Sequence, residues 1–152
     1  MSCPMKKVVT AIIIFQNKVL FFHRDNIPSI ADPNQWQLPG GYIEEGESPD
    51  QAIRRELQEE VNYAPENLQY IGAKKNEQSE TYVYWSYITE DEQDFFKLGA
   101  EEGQAIAFLS LDESLTHHLT ESTKTYILAL KEYLNALFAR HEVPLAHAVG
   151  LS

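Results

Sequence analysis

Cysteine is nearly missing from this chain, with one residue, Cys3, among 152. No internal disulfide can form, so a reducing, cytoplasmic setting is expected. A lone thiol in a terminus expected to fray reads as inert in preference to catalytic. Positive charge is scarce as well: 12 Lys and Arg stand against 23 Asp and Glu, for a net charge of −11. A field of that sign repels phosphate backbones, which argues against a nucleic-acid groove. Long apolar runs are also lacking. The stretch that opens at Val8 stops at Gln16 and Asn17, too short to cross a bilayer and unlike a leader peptide, so no membrane partner is expected.

What is present suits a core of ordinary size, since 43% of the chain is hydrophobic. Residues 1–152 read as one domain, with 1–5 and 141–152 as mobile tails, and either a monomer or a homodimer fits. Lys7 to Phe15 and Val19 to Phe22 read as a hairpin of buried strands. A proline-broken loop, Arg24 to Gln35, leads to a short strand at Trp36-Gln37-Leu38 that ends at Pro39-Gly40-Gly41. Ser48-Pro49-Asp50-Gln51 is a helix start, with a capping serine, proline at the first helical position and glutamine three after the cap. That helix should run to Val61 and end at Asn62, which tolerates a left-handed backbone, before Pro65. Leu68 to Ala73, Thr81 to Thr89 and Gln104 to Leu109 read as further strands. Ser122 to Arg140 reads as an amphipathic helix lying on a sheet. The class is therefore α/β or α+β, with a mixed sheet covered on both faces.

The helix after Ser48 carries the chemistry. Glu56, Glu59 and Glu60 stand at i, i+3 and i+4 and crowd onto one side, near the helix's negative pole. Both effects are unfavourable unless a cation compensates. Magnesium, which takes oxygen ligands from carboxylates and substrate phosphates, meets that need, with manganese as a substitute. A solvated acidic face is the competing reading of an isolated E-x-x-E-E. Context moves the balance: Gly40 and Gly41 expose backbone groups just upstream, and Glu47 can pair with Arg55 to pin the loop to the helix.

Gly41, five residues, Glu47, seven residues, then Arg55-Glu56-Leu57-Gln58-Glu59-Glu60-Val61-Asn62-Tyr63 resembles the Nudix box, G-x5-E-x7-R-E-U-x-E-E-x-G-U, where U is a bulky aliphatic. Asn62 stands in place of the glycine and Tyr63 in place of the last aliphatic, while every charged position matches. Weaker similarity from Lys6 to Leu111 points to the MutT branch. The resemblance implies an α/β/α sandwich around a mixed sheet and water attack on a phosphorus atom of a nucleoside diphosphate-linked substrate. Glu56, Glu59 and Glu60 would then be metal ligands, with one of them acting as base, and Gly40 would lend its carbonyl. Arg55 and Glu47 would be structural partners within the catalytic box. Glu102 resembles an extra downstream glutamate, metal ligand or base, with Glu101 as the competing choice. Arg24 resembles a phosphate-contacting arginine. Glu56 and Glu102 both stand open as the general base.

By the same resemblance, the first substrate choice is a nucleoside triphosphate, oxidised or noncanonical ones included, giving a nucleoside monophosphate and pyrophosphate. Nucleotide sugars, ADP-ribose and dinucleoside polyphosphates are the alternatives, and a non-catalytic nucleotide sensor is the rival from another class. Tyr82 lies near a tyrosine position of dinucleoside polyphosphate enzymes. Trp36, Tyr82, Tyr84 and Trp85 could stack on a base, although core packing is the commoner fate of a strand aromatic. His23, His117 and His118 read as solvated residues in preference to ligands.

Overall fold

The computed structural model describes residues 5–152, so Cys3 and the fraying expected around it lie outside the described residues. Strands β1 (Lys6–Phe15) and β2 (Lys18–His23) form the expected hairpin. Gln16 and Asn17 at its tip both take positive φ, 49° and 63°, which is the turn hand that matches the twist of two adjacent strands. β1 is buried on both faces: Val9, Ala11 and Ile13 join one core, and Ile12 and Ile14 the other. A strand so placed has no polar side to alternate with, and its unbroken apolar run follows from that.

The remaining strands are β3 (Trp36–Gln37), β4 (Gly40–Tyr42), β5 (Gln69–Lys75), β6 (Ser79–Tyr87) and β7 (Ala105–Leu109). They make one seven-stranded sheet in the order β3-β2-β1-β6-β5, with β4 paired to β1 and β7 to β2. The β1–β6 pair is parallel and the others are antiparallel, so the sheet is mixed. Helix α1 (Pro49–Val61) covers one face through Ala52, Ile53, Leu57 and Val61. Short helices α2 (Glu90–Gln93) and α3 (Leu111–Ser114) precede α4 (Glu121–Arg140), which covers the other face through Ile127, Leu134, Leu137 and Phe138. The architecture is thus an α/β/α sandwich. Among the described residues no helix is long and apolar enough to cross a membrane.

α1 starts where its signals put it. Ser48 Oγ accepts from the Gln51 N–H at 3.1 Å, and Gln51 Oε1 accepts from the Ser48 N–H at 2.9 Å, so two otherwise orphaned donors are satisfied reciprocally. Its end is equally local: Asn62 adopts the left-handed conformation at φ 67°.

The expectation of a mobile tail from His141 does not hold. Residues Ala146–Val149 form a 3-10 turn, and Val149 and Leu151 are buried in the α4-side core. Ser152 and Ala73 exchange backbone hydrogen bonds at 2.9 Å in both directions, which covers part of the outer edge of β5. The docking residues have no helical or strand period, so the pairing is visible only in three dimensions. Replacing Leu151 by Ala should cost about 2–4 kcal/mol of unfolding free energy in urea, as for other buried leucines. A mobile tail would give no change.

Candidate active site

Two glycines of β4 make room for α1 to carry acid groups against the sheet. Gly40 has φ +150°, and a Cβ there would lie 2.0 Å from the Val9 carbonyl oxygen. A Cβ on Gly41 would lie 2.6 Å from the Glu56 carboxyl group, so the glycine leaves space that Glu56 fills. The Arg55 guanidinium forks onto Glu47, at 2.7 Å from Nε and 3.0 Å from Nη2, and also reaches the Tyr42 carbonyl at 3.0 Å. The loop between β4 and α1 is therefore clamped to the helix by a bidentate pair. Nη1 of the same arginine lies 3.0 Å from Glu56 and 3.4 Å from Glu59.

Glu56, Glu59 and Glu102 each bring a carboxylate oxygen within 4.8 Å of the others. Of the two downstream candidates, Glu102 and not Glu101 stands in that group. Glu60 behaves differently from the expected common acidic face. It follows Ile53 by seven residues, two helical turns, so it points inward with Ile53 and Leu57. It is 3% exposed, and its Oε1 accepts from the Gly40 N–H at 2.8 Å. Burial pushes the Glu60 carboxyl up to about 9; the Gly40 hydrogen bond opposes this, while the Glu56 and Glu102 charges reinforce it and the Arg24 charge offsets it. Glu56 is also raised, by burial first; contact with Arg55 works the other way, and the charges of Glu59 and Glu102 add to the rise. Three converging carboxylates, two of them paired with an Arg55 already forked onto Glu47, form an all-oxygen donor set that fits a hard divalent cation.

Arg24 closes β2 with its Nε donating to the Ala31 carbonyl at 2.9 Å. Its positive charge lowers the proton affinity of Glu60, as the smallest of the influences on that group. Trp36 has one ring face covered by His23, with centroids 4.5 Å apart and planes within 5°, and His117 meets it edge-on at 5.1 Å. Tyr82 is not brought to the carboxylates. It lies on β6 beside Tyr70, and its hydroxyl donates to Glu80. Tyr84, 3% exposed, donates to Asp50 at the start of α1, and Trp85, 1% exposed, packs in the α4-side core, so both are structural aromatics.

Sequence reasoning missed the fastening of the loop that carries Glu102. The Gly99 N–H donates to the Glu60 carbonyl at 2.9 Å and the Lys97 N–H to the Val61 carbonyl at 3.1 Å. At the far end, Gln104 Nε2 donates to the Arg24 carbonyl at 2.7 Å and to Asn34 Oδ1 at 2.9 Å. Gly99 and Gln104, in a stretch without regular period, carry no pattern that announces such contacts.

With this geometry in view, the NUDIX domain profile, which matches residues 5–130, is decisive. The chain belongs to the Nudix hydrolase family. It is 52% identical over 42 residues to an RNA pyrophosphohydrolase of Acinetobacter baylyi, a match covering 28% of this chain and 25% of that relative. The chain therefore spans about a quarter of the length of the curated relatives it matches. In three dimensions it is similar to a MutT NUDIX hydrolase of Burkholderia pseudomallei, with TM-score 0.65 and 22% identity over 80% of this chain and 95% of the other. It is also similar to the NUDIX domain of Shewanella oneidensis NrtR complexed with ADP ribose, with TM-score 0.68 and 22% identity over 88% and 90% of the two chains. These likenesses concern the fold.

The clamp itself makes a testable statement about pH. The Arg55 hydrogen bond, aided by the Glu44 N–H, holds Glu47 below its ordinary 4.5, at about 2. A carboxylate depressed on folding adds stability that is fully present above its unfolded value and is lost as pH falls through the folded one. The stability gap between wild type and Glu47→Gln should therefore be widest at neutral pH and close between about 4.5 and about 2. Urea melts across that range check this, and a gap that stays constant would show that the pair contributes nothing through its charge.

Proposed function

We propose that this Nudix chain is a magnesium-dependent hydrolase that splits a phosphoanhydride bond in a nucleoside diphosphate-linked compound. The substrate class favoured is a nucleoside triphosphate, oxidised or noncanonical ones included, released as nucleoside monophosphate and pyrophosphate. The observation that carries the reading is the convergence of Glu56, Glu59 and Glu102 within 4.8 Å of one another. A divalent ion held there, magnesium or manganese, would offset charge on phosphate oxygens and lower the proton affinity of a water. Glu60 supports the group from the protein side through Gly40, and the Gly40 carbonyl is a further candidate donor.

The protein groups have separable tasks under this reading. Arg55 and Glu47 keep the β4–α1 loop closed on the helix, so that Glu56 and Glu59 are pre-aimed instead of being gathered at each turnover. Glu56, partly buried and raised in proton affinity, is suited to receive a proton from an attacking water. Glu102 has the same reach and is more exposed. Arg24, whose charge acts on Glu60, is the proposed phosphate contact. Trp36 offers a base only the surface that His23 leaves free.

The relatives that act on RNA bear on the alternatives. A net charge of −11 works against a long phosphate backbone, so a free nucleotide is preferred to an RNA chain. Nucleotide sugars, ADP-ribose and dinucleoside polyphosphates remain the competing small substrates. Against a nucleotide sensor without hydrolysis stands the retention of every charged box position in the clamped arrangement described above. A cytoplasmic site of action goes with the single cysteine.

Two results decide the matter. Nucleoside triphosphates, nucleotide sugars, ADP-ribose, dinucleoside polyphosphates and 5′-triphosphate RNA are incubated with the protein and magnesium, and the released phosphates are identified. Pyrophosphate with a nucleoside monophosphate is the expected pair. Glu56→Gln and Glu59→Gln should lower the rate about a hundredfold or more with little change in unfolding free energy. Wild-type rates in both variants would remove the carboxylates from the reaction.

A further inference from the structure

Glu102 is the one member of the converging group that does not stand on α1. A side chain on an exposed loop ordinarily spreads over many positions, so something has to hold it opposite Glu56 and Glu59. The loop is tied at both ends, and each tie lands on an element that carries another polar group of the site. At one end Gly99 and Lys97 donate to the Glu60 and Val61 carbonyls, which are among those left without intrahelical partners at a helix end. The approach is close enough that a Cβ on Gly99 would lie 1.7 Å from the Glu59 carbonyl oxygen. At the other end the Gln104 N–H donates to the His23 carbonyl at 2.8 Å, while its side-chain amide holds the Arg24 carbonyl and Asn34. Glu102 is thus strung between the turn of α1 that presents Glu59 and the His23 and Arg24 carbonyls at and just past the end of β2.

We propose that residues 97–104 form a strap in which Gly99 and Gln104 are positioning residues, holding Glu102 in register with the two helix carboxylates and thereby setting how tightly a divalent cation is held. The proposal rests on the three carboxylates being a metal site. Neither anchor belongs to the group of converging carboxylates. Their effect passes through Glu102, and that distinguishes them from residues that merely stabilise the fold. A fold-stabilising residue would move the melting temperature and leave cation affinity unchanged.

The test reads binding of Mn2+ alone, followed by the free-ion electron paramagnetic resonance signal, in wild type, Glu102→Gln, Gln104→Leu, Gly99→Ala and the Gln104→Leu/Glu102→Gln double variant. Gln104 is exposed and its loss empties no core, so this variant carries the test should Gly99→Ala fail to fold. Gln104→Leu is expected to weaken binding about tenfold, the scale typical of residues that orient a ligand. In the Glu102→Gln background the same change should cost nothing further, because two groups acting through one contact are not additive. Wild-type affinity in Gln104→Leu, or an undiminished extra loss in the double variant, would overturn the strap. Should Glu102→Gln itself bind Mn2+ as tightly as wild type, the metal-site reading of Glu102 fails and takes the strap with it, an outcome distinct from the other two.

Discussion

Like charges gathered on one side of a helix repel, and here they do so at the helix end where the backbone dipole already favours cations. α1 nevertheless brings Glu56 and Glu59 together, and the loop after α2 adds Glu102. Arg55 relieves part of the repulsion. Its fork is committed to Glu47, so it cannot neutralise three further carboxylates. The surplus negative charge is the constraint that much of the surrounding structure serves, and a doubly charged ion shared with a phosphate ligand is the simplest way to balance it.

The scaffold is arranged so that this surplus does not relax by spreading. Gly41 lets the Glu56 carboxyl lie against the β4 backbone, where a side chain would displace it. Glu60 turns under the helix and bonds to Gly40, tying α1 to the same strand from below. The Glu47–Arg55 clamp closes the loop above. β4 in turn is fixed by pairing with β1, the strand buried on both faces. Rigid apolar packing under the sheet and hydrogen bonds over it thus converge on one patch of carboxylates. Groups held in advance need little rearrangement when a ligand arrives.

Features decided within a few residues were legible in the sequence. The capping box at Ser48, the left-handed exit at Asn62, the β1–β2 hairpin and the long apolar stripe of α4 all lie where local chemistry put them. Features decided by distant partners were not. The three-residue strand at Gly40–Tyr42 exists because β1 offers it an edge, and the 146–152 segment docks because β5 and the α4-side core accept it. Glu60 is an intermediate case. Counting seven residues on from Ile53 places it on the core face, yet its charge suggested a place among the outward acids. Tyr82 is the reverse: its residue type suited a base, but its strand position puts it with Tyr70 and Glu80, away from the carboxylates.

Thermal unfolding with and without magnesium tests the central constraint most directly, because an ion that binds only the folded chain must raise its melting temperature by mass action. In wild type, magnesium should shift the transition upward relative to a chelator, and the shift should be largely lost in Glu56→Gln. A transition indifferent to magnesium in wild type would mean that the crowded carboxylates need no cation, and would contradict the metal-centred reading of the site.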